Sequence, residues 1–264
     1  MKPEMLPRQC AGSSPHRRAD NYMEQIYGRT KSIVAKPTPF CGGCSHGLIV
    51  KSCAEVIDEM DIAEKISWGG SAGCTGFSSF ITEFDSFNSP HGRSPVVATG
   101  FKRCNPDSVV VLYQGDGDAA SIGLGDTLHA ANRGEAFTVI CANNSIYGMT
   151  GGQASATTPV GAVTKTTPGG SEVPPIKLAE MVATLERPAF VARCSVHTPA
   201  AVADFKRCFK KALEYQMKYN AYTYIEVLAA CITGSKIDPK KMKQHIEENM
   251  IPVFPLGVFK DIYK

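Results

Sequence analysis

The chain has 264 residues with 43% hydrophobic and 20% charged side chains, a composition that predicts a globular domain with a full apolar core. It contains neither an apolar run long enough to cross a bilayer nor a secretory signal, and ten cysteines without a signal predict a protein of the reducing cytoplasm. The net charge of +3 arises in residues 1–40, which carry +4, and the body has no basic stripe that would bind nucleic acid.

Helical and strand patterns alternate along most of the chain. Residues 1–36 show weak periodicity and are predicted to be an extended arm, followed by a single domain at residues 37–264. Strands are predicted at residues 65–68, 109–113, 137–142, 189–193 and 223–228. Helices are predicted at residues 46–60, 119–132, 176–185, 200–219 and 238–248. The alternation predicts the α/β class, with a doubly wound, mostly parallel sheet and helices on both faces.

Two loops interrupt this alternation. Residues 89–100 are predicted to begin as a loop around His91-Gly92-Arg93. Residues 151–175 are rich in Gly, Thr and Pro, and a loop of this length usually has a function or forms an interface.

The motif Gly115-Asp116-Gly117-Asp118 follows a short β-branched strand and precedes a helix. Such a junction points backbone N–H groups at an anion, and glycine permits close approach. The next strand ends at Asn143-Asn144, so Asp116 and Asn144 can converge at the carboxyl edge of the sheet as oxygen ligands for Mg²⁺. A merely polar turn is the alternative, but the second strand ending in two asparagines argues against it. The pattern predicts a site for a magnesium-bound diphosphate.

The ten cysteines include a Cys-x-x-Cys pair, Cys41 and Cys44, in a loop before the first helix. In a reducing compartment such a pair is half of a zinc site, a redox dithiol or half of an iron–sulfur site. Pro37-Thr38-Pro39 precedes it instead of a strand, which disfavours a thioredoxin-like dithiol. Cys74 and Cys231 both follow strands, at the edge predicted for the diphosphate site. Geometry therefore favours one four-thiolate site beside the diphosphate, whereas Cys53, Cys141 and Cys208 are predicted to be core residues.

The motifs together resemble the thiamine diphosphate-binding β subunit of 2-oxoacid:ferredoxin oxidoreductases, and within that family the branched-chain, 2-ketoisovalerate type. The resemblance covers the chain from about Pro37 onward. It rests on several blocks: Cys41-Gly42-Gly43-Cys44-Ser45-His46-Gly47, Gly73-Cys74, His91-Gly92-Arg93, Ala98-Thr99-Gly100, the Gly-Asp-Gly motif, Ala130-Ala131-Asn132-Arg133-Gly134, Tyr147 to Gln153, and Phe254 to Phe259.

The resemblance implies a set of ligands. Cys41, Cys44, Cys74 and Cys231 would hold a 4Fe–4S cluster. The Mg²⁺ of thiamine diphosphate would be bound by the side chains of Asp116 and Asn144 and by the carbonyl of Ile146. The residues that would surround the diphosphate and rings of the cofactor are Ala72, Gly73, Cys74, Thr75, His91, Gly117, Asp118, Gly148 and Met149. His46 would either join them or orient the cysteine loop.

Two departures from the family pattern bear on the cluster. Relatives commonly continue the fourth cysteine as Cys-Pro-Thr, whereas this chain has Cys231-Ile232-Thr233, which leaves Cys194 as a second candidate for the fourth ligand. Gly42 also replaces a usual proline between the first two cysteines, a change expected to be tolerated.

The resemblance further implies a CoA-dependent oxidative decarboxylation of 2-oxoacids, with electrons passed to ferredoxin or a related acceptor. The glutamate that activates the cofactor would come from an α subunit, since Glu83 and Glu135 lie in ordinary polar contexts. No catalytic residue is therefore assigned in this chain, and γ and δ ferredoxin-type subunits are expected beside it. Phe77 stands where members acting on 2-oxoglutarate often carry lysine, which favours an apolar, branched or aromatic 2-oxoacid.

Two other classes of protein compete with this interpretation. A non-redox thiamine diphosphate decarboxylase or synthase subunit would share the diphosphate site without a cluster. A zinc-stabilised binding protein would use the cysteines alone, and its Gly-Asp-Gly turn would be structural.

Overall fold

A computed structural model describes residues 28 and 30–263, and most of them belong to an α/β arrangement of strands and helices. In this described part of the chain the strands are β1 (Ile66–Ser71), β2 (Asp85–Ser89), β3 (Val109–Gly115), β4 (Thr138–Asn143), β5 (Ile146–Tyr147), β6 (Gln153–Ala154), β7 (Phe190–Ser195), β8 (Thr223–Leu228) and β9 (Gly257–Asp261). The α-helices of the same residues are α1 (Ser45–Glu59), α2 (Ser94–Cys104), α3 (Leu124–Arg133), α4 (Leu178–Thr184), α5 (Pro199–Tyr219) and α6 (Met242–His245).

The main sheet has seven strands in the order β2-β1-β3-β4-β8-β7-β9. All neighbours are parallel except β7 and β9, which are antiparallel, so the prediction of a mostly parallel, doubly wound sheet is confirmed. The strand order reverses between β1 and β3, where the chain first proceeds to β2 and then continues on the other side. Ligands of open α/β sheets bind at such a reversal, beyond the carboxyl ends of the strands.

Both faces of the sheet are covered, which explains why its central strands β3 and β4 are mostly apolar. Along β3, Val109, Val111 and Tyr113 face one core with α1 and α5. Val110 and Leu112 face the other core, which α2, α3 and α4 complete. Because each face of the sheet is buried, the strand reads as a continuous hydrophobic run instead of an alternating one.

Three helical regions differ from the sequence prediction. Residues 89–100 begin as the predicted loop around His91-Gly92-Arg93, but from Ser94 they form α2, a helix that was not predicted, with Pro95 in its first turn, where proline is tolerated. The helix predicted at residues 119–132 is a π-helical turn, Gly117–Ile122, followed by α3. The helix predicted at residues 238–248 consists of a 3-10 turn, Pro239–Lys241, then α6 and a second π-helical turn, Ile246–Met250.

Most of the predicted arm at residues 1–36 lies outside the described residues, but its last part contacts the domain. Ser32 is buried, and its backbone N–H donates to the Asp58 carboxylate at 3.2 Å. Ile33 bridges Thr82, and the Val34 N–H donates to the Ile81 carbonyl at 3.0 Å. Among residues 28 and 30–263, no helix combines the length and hydrophobicity needed to cross a bilayer.

Candidate cofactor site and cysteine cavity

A cavity of about 240 Å³ lies at the carboxyl edge of the sheet, where the strand order reverses. Its lining includes every residue predicted to surround the cofactor or its Mg²⁺: Ala72, Gly73, Cys74, Thr75, His91, Asp116, Gly117, Asp118, Asn144, Ile146, Gly148 and Met149. His46, Gly115, Tyr147 and Thr150 complete its lining. We call this the cofactor cavity. The ligand roles themselves stay predictions.

Asp116 lies at the bottom of the cofactor cavity and is buried. Its Oδ1 accepts a hydrogen bond from the Asn144 backbone N–H at 3.4 Å, so the two strand ends meet as predicted. Its Oδ2 accepts from the hydroxyls of Ser155 at 2.5 Å and Thr157 at 2.7 Å. Burial raises the pKa of Asp116, and within the described residues it forms no ion pair that would offset its charge. A buried carboxylate fixed on one side by two hydroxyls fits a divalent cation on the other.

The π-helical turn that follows β3 starts at Gly117, inside the cofactor cavity. The first N–H groups of a helix have no partner within it, and the first two residues of this turn, Gly117 and Asp118, line the cavity beside Asp116. Packing against Tyr147 also requires glycine at position 117, because an added Cβ would lie 2.3 Å from Cε1 of Tyr147. The Tyr147 hydroxyl in turn donates to the Gly117 carbonyl at 3.2 Å. The main chain at this turn fits a diphosphate, and Tyr147 fixes its position.

The Asp118 carboxylate is buried and occupied by donors of the chain itself. It accepts hydrogen bonds from Gln114 Nε2 and from the Gly92 backbone N–H, both at 2.5 Å. His91 Nδ1 lies 2.9 Å from Asp118 Oδ1, although this contact is not aligned as a hydrogen bond. Asp118 therefore holds the His91 loop against the cofactor cavity, and only its backbone N–H remains for a diphosphate.

The Gly117→Ala variant should bind Mg-thiamine diphosphate at least about tenfold more weakly, because the new methyl group displaces Tyr147 and with it the turn. Isothermal titration calorimetry of the purified chain measures this. The loss should be much smaller in a Tyr147→Ala background, where the clash is absent.

Gly125→Ala in α3 is the matched control, since an added Cβ there meets nothing within 4 Å. It should leave cofactor affinity unchanged and stabilise the helix by about 0.5–1 kcal/mol. Equal losses for both alanine variants would contradict the assigned role of the Gly117 turn.

A second cavity adjoins the first and brings together all four predicted cluster ligands, Cys41, Cys44, Cys74 and Cys231. We call it the cysteine cavity. The two cavities share His46, Cys74, Asn144, Gly148 and Met149 as a common wall. This wall is thin, because a Cβ added to Gly148 would lie 2.6 Å from Cys231 Sγ. The diphosphate region and the four cysteines are therefore neighbours, as predicted from the sequence.

The four thiols interact electrostatically with one another. Burial, followed by the charges of the other cysteines, raises the pKa of Cys44 and of Cys74 to about 11. Burial also raises the pKa of Cys231, and the Gly234 N–H donates to its Sγ at 3.2 Å. Thiols of this kind bind cationic iron only by releasing protons. Among the described residues, no three His, Cys, Asp or Glu side chains are spaced to hold a single metal ion, whereas a cluster takes each thiolate on a different iron.

The remaining cysteines lie elsewhere. Cys53 and Cys141 are buried in the two cores, as predicted. Cys194, the second candidate for the fourth ligand, is buried in the core and forms a side-chain hydrogen bond with Cys208, so it does not line the cysteine cavity. Cys104 is exposed, and Cys10 lies outside the described residues.

His46 is buried in the wall between the two cavities. Its Nδ1 lies 2.5 Å from the Tyr113 hydroxyl, and its ring stacks on Phe40 with centroids 5.4 Å apart. Burial lowers the pKa of His46 to about 4, so the ring is neutral near pH 7. These contacts support the structural alternative for His46, in which it orients the loop that carries Cys41 and Cys44.

Several residues that support the site were missed by sequence reasoning. Thr157 Oγ1 also lies 3.0 Å from Asn143 Oδ1, and the Asn143 amide donates to Glu226 at 2.6 Å. Glu226 is paired with the buried Arg193 at 2.9 Å, and Arg193 reaches Glu180. Charged residues inside fully buried strands are rare unless they are paired. The positions of Glu226 and Arg193 in apolar strand patterns could therefore have indicated this pair from the sequence.

Comparison with known proteins agrees with this geometry. Residues 69–227 match the family model described as thiamine pyrophosphate enzyme, C-terminal TPP binding domain. The ketoisovalerate oxidoreductase subunit VorA of Methanothermobacter marburgensis is 38% identical over 248 residues, which are 92% of this chain and 52% of the relative. The 2-oxoglutarate synthase subunit KorB of Archaeoglobus fulgidus is 34% identical over 244 residues, 89% of this chain and 87% of the relative.

Among solved structures, 2-oxoglutarate:ferredoxin oxidoreductase from Magnetococcus marinus, with 2-oxoglutarate, coenzyme A and succinyl-CoA bound, shares the fold. Its TM-score is 0.75 at 24% identity, and the match covers 91% of this chain and 87% of that one. The chain spans about half the length of the VorA relatives that it matches.

Fold and site together define the cofactor-binding domain of a thiamine pyrophosphate enzyme. Within that class, the chain belongs to the family of 2-oxoacid:ferredoxin oxidoreductase subunits.

Proposed function

We propose that this chain is the thiamine diphosphate-binding subunit of a CoA-dependent 2-oxoacid:ferredoxin oxidoreductase. It would hold Mg-thiamine diphosphate in the cofactor cavity and a 4Fe–4S cluster in the cysteine cavity. The observation that carries this proposal is the thin wall between the two cavities, with Cys74 in the lining of both. A cluster ligand that also touches the cofactor site keeps the path for electrons short.

The proposed roles of the residues come from the resemblance, and their contacts are compatible with them. Asp116, Asn144 and the Ile146 carbonyl would hold Mg²⁺, while the N–H groups of Gly117 and Asp118 would bind the diphosphate. Thiamine diphosphate, when bound, supplies the centre at which a 2-oxoacid loses carbon dioxide. Tyr147, through its contact with Gly117, orients the turn that would receive the diphosphate.

Partner subunits are part of the proposal. No glutamate lines the cofactor cavity within the described residues, so the activating carboxylate would come from an α subunit. Glu135 is paired instead with Arg103 at 2.6 Å and Arg133 at 2.8 Å. Ferredoxin-type γ and δ subunits, or a separate ferredoxin, would accept the electrons.

Metal and sulfide analysis of anaerobically purified protein tests the proposal against its rivals. The proposed function requires iron, acid-labile sulfide and retained thiamine diphosphate. A non-redox decarboxylase or synthase subunit, which the cofactor cavity alone would support, contains thiamine diphosphate without iron or sulfide. A zinc-stabilised protein contains zinc without sulfide. Either of these last two results would refute the proposed function.

The proposed substrate is a 2-oxoacid with an apolar, branched or aromatic side chain. Its support is the 38% identity to a ketoisovalerate oxidoreductase subunit and the aromatic residue at position 77. Phe77 lines the cysteine cavity and packs between Phe40 and Phe80, at 6.5 and 6.3 Å between ring centroids. It offers no charge to a second carboxylate.

We expect the reconstituted complex to favour 2-ketoisovalerate over 2-oxoglutarate by at least about tenfold in kcat/KM. Phe77→Lys should lower this preference, because the new ammonium group could pair with the second carboxylate of 2-oxoglutarate. Phe80→Lys, at an exposed neighbouring position, should leave the preference unchanged. Steady-state kinetics with both acids measure the ratio. Efficient use of 2-oxoglutarate by the unmodified complex would overturn the assignment of substrate.

A further inference from the structure

The cysteine cavity reaches the surface at the loop that carries Cys41. Cys41 and its neighbours Gly42 and Gly43 are exposed, whereas Cys44, Cys74 and Cys231 are partly buried. A cluster held by these four thiolates would therefore come nearest to the surface at Cys41. Because electron transfer requires close approach of donor and acceptor, an acceptor has to dock at this loop.

The segment 232–243 borders the same loop. Thr233 Oγ1 donates to Cys41 Sγ at 3.4 Å. The Pro239 ring lies against Gly43, because a Cβ added to Gly43 would be 2.9 Å from Pro239 Cβ. The residues that follow Pro239 are thus fixed beside the exposed edge of the cysteine cavity.

This segment is basic. It contains four lysines and one aspartate, a net charge of +3, in a body whose residues 41–264 sum to −1. Lys236, Lys240 and Lys241 are exposed and form no ion pair with any described residue. The single acid, Asp238, accepts a hydrogen bond from the Lys240 backbone N–H, and Lys243 is paired with Glu247. The positive potential at this edge is therefore not neutralised locally.

We propose that Cys41–Gly43 together with the lysines of residues 236–241 form the docking surface for a small acidic electron-carrier protein that contains an iron–sulfur cluster. The inference rests on the proposed function, since it needs a cluster in the cysteine cavity. One electron leaves that cluster, which is oxidised, and reduces the cluster of the carrier. Charge complementarity selects the partner, because a basic rim attracts an acidic protein and speeds its association.

Charge reversal in the assembled complex tests the proposal. In Lys240→Glu/Lys241→Glu, the association rate with an acidic bacterial-type ferredoxin should fall at least about tenfold at low ionic strength. The difference should disappear in about 0.5 M salt, where the field is screened. Surface plasmon resonance measures binding, and reduction of methyl viologen, a small dication that needs no basic docking surface, reports cluster function. Both substitutions lie in the 3-10 turn just before α6, where acidic residues favour the helix that follows, so folding should be preserved.

Lys210→Glu/Lys218→Glu on α5 is the matched control, with the same change of charge on a helix that leads to the amino edge of the sheet. It should leave ferredoxin binding unchanged. Equal effects of both variants, no effect of the first, or failure of the first variant to assemble with its partner subunits would overturn the proposal. Absence of cluster absorbance and of methyl viologen reduction in the unmodified complex would instead refute the proposed function, and this proposal with it.

Discussion

The Asp116→Asn variant is expected to lose more than about 100-fold in affinity for Mg-thiamine diphosphate, or more than about 2.7 kcal/mol. Substitutions in the outer shell of a metal site commonly cost 10–100-fold, and this change removes the charged ligand itself. Asparagine keeps the size of the side chain, and its amide oxygen can still accept from the hydroxyls of Ser155 and Thr157. Isothermal titration calorimetry with Mg²⁺ and thiamine diphosphate measures the loss.

Asp107→Asn provides the matched control, since Asp107 is exposed just before the other end of the same strand. It should bind the cofactor as the unmodified chain does. Thermal unfolding of both variants without cofactor should be similar, which separates loss of binding from loss of fold. Retention of full affinity by Asp116→Asn would show that the cofactor cavity does not bind Mg²⁺ through this carboxylate.

The second large effect is expected for Cys231→Ala, which should lose most of the iron and acid-labile sulfide of the purified complex. Removing one of four thiolates leaves one iron without its protein ligand. Cys231 shares the cysteine cavity with Cys41, Cys44 and Cys74, and its Sγ packs against Gly148 of the wall. Iron and sulfide analysis after anaerobic purification measures the change, and visible absorbance of the cluster reports it independently.

Cys194→Ala is the matched variant, because Cys194 was the other candidate for the fourth ligand. Its thiol is buried beside Cys208 in the core, so its removal should leave the iron content unchanged. The reverse result, with iron lost from Cys194→Ala and retained in Cys231→Ala, would reassign the fourth ligand.

Much of the site could be predicted because its residues directly follow strands that the sequence pattern identifies. Asp116 and Asn144 follow two apolar strands, and strand ends in a parallel sheet meet at one edge. Cys74 and Cys231 could be placed at that edge by the same reasoning. The strand pattern of β3 and β4 was clear because both strands are buried on both faces, which leaves a continuous hydrophobic run.

The features that could not be predicted depend on distant contacts. Ser155 and Thr157 lie in a long loop whose composition indicates function but not which hydroxyl meets Asp116. β2 is a mostly exposed strand at the sheet edge, with one aromatic residue, so its pattern resembles a loop. The π-helical turn before α3 has helical composition, and its different hydrogen bonding leaves no mark on the spacing of apolar residues.

The order of the thiols along the chain constrains how the protein matures. Cys41, Cys44 and Cys74 are made early, but the cysteine cavity is completed only by Cys231, after β8 has joined the sheet between β4 and β7. A nascent chain that has emerged from the ribosome only as far as β4 displays three of the four thiols without the remaining wall. Iron delivered at that stage would meet an open, oxidisable set of ligands. Insertion of the proposed cluster should therefore follow translation, on a chain that has already folded through residue 231.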